Sequence, residues 1–298
     1  MDKFTFTVSE DEAGVQLRKI IKTKYHLSSR LMTTIKYKNL ITLNGKSVPG
    51  WIVPSCGDRV SVALPDEESH FPPEDIPIDI LYEDDDLLII NKQAGITVHP
   101  TKGHPDHTIA NGIMKYMSDT GRSFKIRFIN RLDMDTSGIL VIGKNSHAQA
   151  EINMQMSRGL TRKRYTAVAS GIISEDEFVI DKPIGRLSAD SVRRGIVSEA
   201  DGGYPSATKV HVIKRFGNAT LTELELLTGR THQIRVHLAS IGHPLLGDRL
   251  YGGDETYIKG RQALHAHSFT CLHPMTKNKL EVIAPLATDL AELIERLV

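Results

Sequence analysis

The sequence predicts an α+β fold, and three observations support this prediction. Short apolar runs rich in β-branched residues, such as 139–142, are too short for helices and indicate strands. Turns at Asn44-Gly45 and at 216–218 join pairs of such runs, which indicates antiparallel hairpins. Apolar residues at helical spacing occur between the strands and at the C-terminus, where the leucines of 286–298 share one face.

The composition is that of a globular protein. The chain has 298 residues, of which 40% are hydrophobic and 24% charged, enough for two domains or one large one. It has no run of about 18 apolar residues and its N-terminus lacks an apolar signal core, so we expect no membrane span and no secretion. Cys56 and Cys271 match no metal or redox spacing, which favours a reducing, cytoplasmic location.

Proline and acidic residues mark a boundary between two domains. Prolines at 65, 72, 73 and 77 favour an extended linker. We therefore predict a small domain at 1–65, a linker at 66–78 and a larger domain at 79–298.

The small domain has its own pattern of helices and strands. Apolar residues at helical spacing between 15 and 21, after the acidic run 10–12, predict a first helix. Ser28 and Ser29 are suited to cap a second helix at about 30–38. Strands are expected at 40–43, 46–48 and 59–64.

Positive charge is concentrated in the same segment. Residues 1–65 hold ten Lys and Arg against five Asp and Glu, a net charge of +5, whereas the whole chain is +1. Seven of the ten basic residues lie between 18 and 38, in the two predicted helices. A basic face for RNA phosphates is one interpretation, and a merely solvated surface is the other. The candidate contacts there are Lys19, Lys22, Arg30 and Lys36.

The stretch 125–145 places a group of polar residues between two predicted strands. Arg131 and Asp133 lie at the end of the first strand, and a carboxylate beside an arginine on a rigid strand end is a common way to aim a reactive group. A simple tight turn explains the same composition, since Asp, Thr, Ser and Gly are turn formers.

Residues 130–138, Asn-Arg-Leu-Asp-x-x-Thr-Ser-Gly, resemble the His-Arg-Leu-Asp-x-x-Thr-Ser-Gly signature of the RluA/RluD-type RNA pseudouridine synthases. The resemblance covers 80–285, with Asn130 in place of His and Gln93 in place of Pro. The other matching stretches, in order, are 80–100, 163–171, 229–235 and 243–252.

This resemblance implies a fold and a reaction. The fold is a mixed, largely antiparallel sheet with packed helices, and the reaction converts uridine in structured RNA to pseudouridine without a cofactor. Asp133 matches the family's catalytic aspartate, which acts either as a nucleophile or as a base. Tyr165 matches the family's tyrosine, with a role in stacking on the uracil or in removing its carbon-5 proton. A buried Asp133 needs a cationic partner, for which Arg235 is the first candidate and Arg230 the second.

Further residues are candidates for RNA contact. Arg131 or a neighbouring residue is expected to fill the gap left by a flipped uridine. The chain's densest basic run leads into a predicted strand, and a predicted helix after Gly229 makes His232 a neighbour of Arg235. Residues 1–65 are similar to the small S4-type RNA-binding domain. These further candidates are Arg162, Lys163, Arg164, Arg230 and His232.

We expect the partner to be large-subunit ribosomal RNA or its precursor, and the protein to be a monomer. Neither the Asp84–Asp86 cluster nor the histidines at 99, 104 and 107 match a metal-site pattern, so no metal is expected. Two alternatives stay open: an RNA-binding protein that has lost catalysis, and a nucleoside hydrolase with Asp135 as a second carboxylate.

Overall fold

A computed structural model of the chain describes residues 2–101, 103–188 and 191–298. Two main β-sheets with helices packed on them confirm the predicted α+β class. Among the described residues, no helix has the length and apolar composition needed to cross a membrane.

The N-terminal segment forms a sheet of its own with two helices on it. Its elements are β1 (Asp2–Thr7), α1 (Leu17–Lys24), α2 (Ser29–Tyr37), β2 (Ile41–Leu43), β3 (Lys46–Ser47) and β4 (Arg59–Ala63). The four strands pair antiparallel in the order β1-β4-β2-β3, and both helices bury their apolar faces against them. Ser28 accepts a hydrogen bond from the Leu31 amide, which confirms the predicted cap.

Two features of this segment differ from the sequence prediction. Helix α1 begins at Leu17, because the acidic run 10–12 lies in turns that end at Gly14, whose φ is 84°. Strand β1 was not predicted, and it exists because it pairs with β4, whose residues lie 52 to 61 positions further along the sequence. Such long-range pairing leaves only a weak local signal.

The larger unit is built on a ten-stranded sheet with four helices. Its helices are α3 (Ile109–Thr120), α4 (Ser146–Ser157), α5 (Gln233–Ser240) and α6 (Thr288–Leu297), and 3₁₀ turns lie at Glu199–Asp201 and Arg249–Tyr251. Its strands are β5 (Asp79–Glu83), β6 (Leu87–Lys92), β7 (Arg127–Phe128), β8 (Ser137–Gly143), β9 (Arg162–Ser170), β10 (Glu177–Asp181), β11 (Ile184–Arg186), β12 (Arg194–Ile196), β13 (Ala207–Arg215), β14 (Ala219–Leu226), β15 (Leu264–Leu272) and β16 (Lys279–Ile283).

The main sheet is mixed and largely antiparallel, as expected. Its order is β10-β13-β14-β9-β15-β8-β6-β5, while β16 pairs with β15, β7 with β8, and β11 with β12 in a separate hairpin. The only parallel pair among the described strands joins β8 to β15 at His265 and Ala266. This pair lies directly beside the Asp133 loop.

Helices cover both faces of the sheet. Alternate side chains of β6 point to opposite faces, so Leu87 and Ile89 join one core while Leu88 and Ile90 join another. Helices α4 and α5 pack on the first face and α3 on the second, and α6 covers a further cluster beside β9.

The segment between the two units has no helix or strand and follows the surface of the larger unit. The Ile126 amide donates to Ser69 Oγ at 2.9 Å, and Glu67 pairs with Arg127. Ile76 is buried against α3. The segment is therefore held in place along its length.

The N-terminal unit also contacts the larger unit directly. Lys3 Nζ lies 2.9 Å from Oδ1 of Asp86, and the Phe4 ring meets the His147 ring edge-on at 5.1 Å. Asp86 and His147 are both buried. The position of the N-terminal unit is thus set by side-chain contacts as well as by the linking segment.

Removal of residues 1–66 should leave a folded but less stable protein. The larger unit keeps its own cores, but Asp86 becomes exposed and loses Lys3 while it keeps its hydrogen bond from Asn145, and His147 loses the Phe4 ring. We expect a loss of about 1–2 kcal/mol, or a fall in Tm of roughly 2–8 °C, by thermal unfolding. A transition without cooperativity would contradict a separately folding larger unit, and an unchanged Tm would show that these contacts contribute nothing.

Candidate active site

The Asp133 loop connects β7 to β8. The side chain of Asn130 hydrogen-bonds the start of this loop to the backbone of β8. The Val141 amide donates to Asn130 Oδ1 at 2.7 Å, and Asn130 Nδ2 donates to the Ile139 carbonyl at 3.0 Å. The Thr136 amide donates to the Asp133 carbonyl at 3.1 Å, which closes a turn. The stretch thus forms the tight turn that its composition predicts, and the same turn carries the Asp133 carboxylate.

The Ser-Gly of the motif fits the parallel pairing with β15. Gly138 has φ 105°, and a Cβ there would lie 2.3 Å from the Ala266 carbonyl oxygen, so only glycine is accommodated. The Ser137 hydroxyl lies 2.9 Å from Nδ1 of His265. These contacts fix where the loop ends relative to the sheet.

Lys92 hydrogen-bonds to the backbone of the Asp133 loop from inside the core. Its side chain is fully buried, and Nζ donates to the carbonyls of Gln93, Ile96 and Met134 at 2.8–2.9 Å. Burial lowers the pKa of Lys92 to about 7. The three carbonyl acceptors favour the charged form, because they match the three hydrogens of the ammonium group. Since Met134 follows Asp133, this lysine ties the loop to the turn after β6.

Arg235 connects two carboxylates. Its Nη1 donates to Asp133 Oδ2 at 3.0 Å, while Nε and Nη2 donate to Asp248 at 2.7 and 2.8 Å. Asp248 is wholly buried, whereas the Asp133 side chain keeps 26% of its exposure. Burial opposes ionisation of Arg235, but the hydrogen bonds and charges of Asp248 and Asp133 outweigh it and raise the arginine pKa. The expected Asp133–Arg235 pair is present.

His232 and Tyr251 complete the surroundings of the carboxylate. His232 Nε2 lies 3.8 Å from Asp133 Oδ2, and its Nδ1 lies 2.9 Å from the Tyr251 hydroxyl. Tyr251 also accepts a hydrogen bond from the Arg194 amide at 3.0 Å, and the Arg235 guanidinium lies 5.0 Å from its ring centre.

Helix α5 starts later than the sequence suggests. His232 is its N-cap with φ 57°, a left-handed conformation, so α5 begins at Gln233 and not near Gly229. His232 and Arg235 nevertheless converge on the same carboxylate oxygen, as the prediction of neighbours required.

Asp133, His232 and Arg235 line a cleft of about 490 Å³, which is within the usual range for ligand sites. Asp133, Tyr165 and Arg235 all face it. Tyr165 is buried, and its burial together with the Asp133 charge raises the pKa of its phenol. The cleft thus brings together the three residues predicted to be catalytic.

The predicted RNA contacts divide into groups. Four line the cleft: Arg131, Lys163, Arg230 and His232. Arg162 and Arg164 alternate with Lys163 along β9 and face away from it, and Arg164 lies 3.8 Å from Glu223. Arg230 does not pair with Asp133, since its guanidinium stacks 5.5 Å from the Tyr204 ring centre. Four more lie exposed on α1 and α2, outside the residues that line the cleft: Lys19, Lys22, Arg30 and Lys36.

Sequence reasoning missed three residues of the site. Asp248 and Tyr251 lie in the predicted motif 243–252, but no pattern showed that they reach Arg235 and His232. Lys92 lies in the stretch 80–100. Its position at the end of a strand of buried residues was the available sign that this lysine is itself buried. All three act through contacts distant in sequence.

A group of potential metal ligands lies away from the cleft. Oxygen and nitrogen atoms of Asp84, Asp86 and His273 lie within 4.8 Å of one another. His273 Nε2 and the Tyr82 hydroxyl both contact Asp84 Oδ2, at 2.6 and 2.7 Å, and Asp86 pairs with Lys3. The group thus takes part in holding the N-terminal unit.

Comparison with known proteins agrees with this geometry. The model of the family described as RNA pseudouridylate synthase matches residues 86–240, which include the Asp133 loop and Arg235. Among curated proteins, the chain is 39% identical to an uncharacterized RNA pseudouridine synthase of Bacillus subtilis strain 168, YlyB, over 100% of this chain and 99% of that one. It is 36% identical to ribosomal large subunit pseudouridine synthase D of Escherichia coli K12, over 98% and 94% of the two chains.

A solved structure shows the same likeness. Human RNA pseudouridylate synthase domain containing 1 superposes with a TM-score of 0.59 at 26% identity, covering 76% of this chain and 97% of that one. The fold is that of an RNA-modifying isomerase. The chain belongs to the RNA pseudouridylate synthase family and is an RNA pseudouridine synthase.

Replacement of Lys92 by methionine should destabilise the protein. The change leaves three backbone carbonyls without this donor, of which that of Ile96 is buried, and it predicts a loss of about 2–4 kcal/mol. The midpoint of urea unfolding measures it. Lys115→Met is the control, because the Lys115 side chain is 41% exposed and its ion pair with Asp119 lies on the surface, so this change should leave the midpoint nearly unchanged. Equal midpoints for the two variants would contradict the role of Lys92.

Proposed function

We propose that the protein isomerises specific uridines in large-subunit ribosomal RNA or its precursor, with Asp133 as the catalytic carboxylate. The observation that carries this proposal is the Asp133 carboxylate, partly exposed in the cleft and paired with Arg235. Relatives named for the ribosomal large subunit, which cover nearly the whole chain, support the choice of RNA.

The reaction explains why one carboxylate suffices. The bond between N1 of uracil and C1′ of ribose breaks, the base rotates, and C5 forms a bond to C1′. The proton on C5 is lost and N1 regains one, so the product is an isomer of the substrate. The reaction needs no oxidant and no group donor, and we propose that it proceeds without a cofactor.

The charges around Asp133 favour its ionised form. Arg235 serves two carboxylates, and its hydrogen bond to Asp133 Oδ2 at 3.0 Å holds that carboxylate in one orientation. The second oxygen, Oδ1, remains for the substrate. An ionised carboxylate can attack C1′ or remove a proton from C2′, and because both atoms belong to the same ribose, either route places the sugar of the target uridine at Asp133.

Tyr165 acts in this proposal as a neutral phenol. Its burial beside the Asp133 charge raises its pKa, so it keeps its proton near pH 7. The ring is suited to pack against the uracil, and the hydroxyl to orient it by a hydrogen bond.

The target must leave its stack to reach Asp133, because the carboxylate lies inside a cleft that a duplex cannot enter. Arg131 is exposed beside the cleft and is our candidate for occupying the vacated space. Lys163 and Arg230 supply positive charge for the adjacent phosphates.

We further propose that residues 1–65 are a separate RNA-binding domain of the S4 type, joined by 66–78 to the catalytic domain at 79–298. The net charge of +5 and the exposed basic residues of α1 and α2 support this role. Arg162 and Arg164, on the outer face of β9, would extend the phosphate contacts. The two free cysteines support a cytoplasmic location, and we propose that the protein acts as a monomer.

A hydrolase is less well supported. Asp135, the second carboxylate that it requires, is not among the residues that line the cleft. Burial raises the pKa of Asp135, partly offset by the charge of Lys92. Free uracil or nucleoside as a product would favour that alternative.

Replacement of Asp133 by asparagine should abolish turnover while the fold and RNA binding persist. Asparagine is nearly isosteric but cannot act as a nucleophile or as a base. Arg235 keeps Asp248, so we expect a stability loss of only about 1 kcal/mol. Tritium release from RNA labelled at C5 of uridine, together with Tm and RNA affinity, tests this.

Asp135→Asn is the matched control and should retain turnover. Loss of turnover, Tm and RNA affinity together in Asp133→Asn would make Asp133 a structural ion-pair member. Retained turnover would remove the proposed mechanism. A map of pseudouridines in cells that lack the gene identifies the RNA and the uridine.

Replacement of Tyr165 by phenylalanine should preserve RNA affinity and slow single turnover by roughly 10- to 100-fold, since the ring stays and one hydroxyl contact is lost. Single-turnover kinetics with saturating enzyme measure the effect. Near-normal turnover would leave Tyr165 with a packing role alone.

A further inference from the structure

His232 faces the catalytic carboxylate without contacting it. Its Nε2 lies 3.8 Å from Asp133 Oδ2, beyond hydrogen-bond distance, and its side chain lines the cleft. The residue adopts a left-handed conformation, φ 57°, which is uncommon outside glycine. The fold therefore holds this ring where an atom of the substrate can meet it.

The hydrogen bonds behind the ring indicate which nitrogen carries the proton. The Arg194 amide donates to the Tyr251 oxygen at 3.0 Å. Within the part of the chain that the structure describes, the acceptor available to the hydroxyl hydrogen is Nδ1 of His232, 2.9 Å away. Because Tyr251 is buried, a hydroxyl hydrogen without an acceptor is unfavourable. Tyr251 thus donates to Nδ1, and a neutral ring carries its proton on Nε2.

The local charges favour the same tautomer. An Nε2–H directed towards the Asp133 carboxylate is attracted to it, whereas a lone pair there is repelled. Burial lowers the pKa of His232, against the opposing effect of Asp133, so the ring is neutral near pH 7. The cleft then contains a hydrogen-bond donor with a fixed direction.

We propose that His232 donates a hydrogen bond from Nε2 to the 2′-oxygen of the target uridine, and that Tyr251 is the positioning residue that sets the tautomer. This inference rests on the proposed role of Asp133. Whether Asp133 acts at C1′ or at C2′, the 2′-oxygen is bonded to C2′ and lies next to the reacting atoms. The uracil carbonyls move when the base rotates, while the 2′-oxygen stays with the ribose.

The tautomer can be measured without RNA. In protein labelled with ¹⁵N-histidine at pH 8, the His232 signals are those lost in His232→Asn, a residue that tolerates the left-handed backbone. They should show Nε2–H in the wild type and a mixture of tautomers in Tyr251→Phe. Tyr257→Phe is the control, because it removes a hydroxyl bonded to Asn218 outside the cleft, and it should change nothing. A wild-type Nδ1–H tautomer would overturn the assignment of Tyr251.

The contact to the 2′-oxygen is tested with two synthetic RNAs that carry the mapped uridine, with ribose or 2′-deoxyribose at that nucleotide alone. The wild type should bind the ribose form about tenfold more tightly, the value of one hydrogen bond. His232→Asn should lose most of this preference, whereas His211→Asn, an exposed histidine on β13, should keep it. A 2′-deoxy substitution at a neighbouring nucleotide controls for sugar conformation.

The outcomes separate this inference from the proposed function. If His232→Asn keeps the full preference while Asp133→Asn is inactive, the contact is wrong and the catalytic assignment stands. If Asp133→Asn remains active, the proposed function fails first, and this inference fails with it.

Discussion

The site depends on one guanidinium shared by two carboxylates. Asp248 is wholly buried, so it requires a cation, and Arg235 satisfies it through two parallel hydrogen bonds. The third hydrogen bond of the same guanidinium reaches the partly exposed Asp133. Removal of charges from water is unfavourable, and the two parallel hydrogen bonds of the Arg235–Asp248 pair offset this desolvation cost. Asp133 therefore receives a rigid partner that is already oriented by Asp248.

The rest of the loop is arranged to keep Asp133 at that partner. Asn130 bonds to the backbone of β8 through both ends of its amide, which gives the position a structural role that does not need a titratable ring. Lys92 donates a hydrogen bond to the Met134 carbonyl, and Gly138 allows the loop to end in close contact with β15. Each contact removes freedom from a short loop, and a reacting group is effective only when its position is fixed.

The N-terminal unit shows a different relation between sequence and structure. Its charge is strongly positive, although the whole chain is nearly neutral, and this basic surface lies outside the cleft. Lys3 and Phe4 of β1 nevertheless contact the larger unit at Asp86 and His147. The distance and orientation of this basic surface relative to the cleft are therefore set by side-chain contacts between the two units.

The sequence by itself determined the fold class and the order of most strands and helices, and it predicted Asp133, Tyr165 and Arg235 as the catalytic residues. Alternating and helical hydrophobic patterns are local, and motif spacing preserves residue types that the chemistry needs. Tertiary structure alone decided that Arg230 stacks on Tyr204, that Arg162 and Arg164 face away from the cleft, and that Asp248, Tyr251 and Lys92 support it. It also decided where β1 pairs and where α5 begins. The physical reason is that partners such as Asp133 and Arg235, 102 positions apart, are brought together by sheet order and register, which no local pattern encodes.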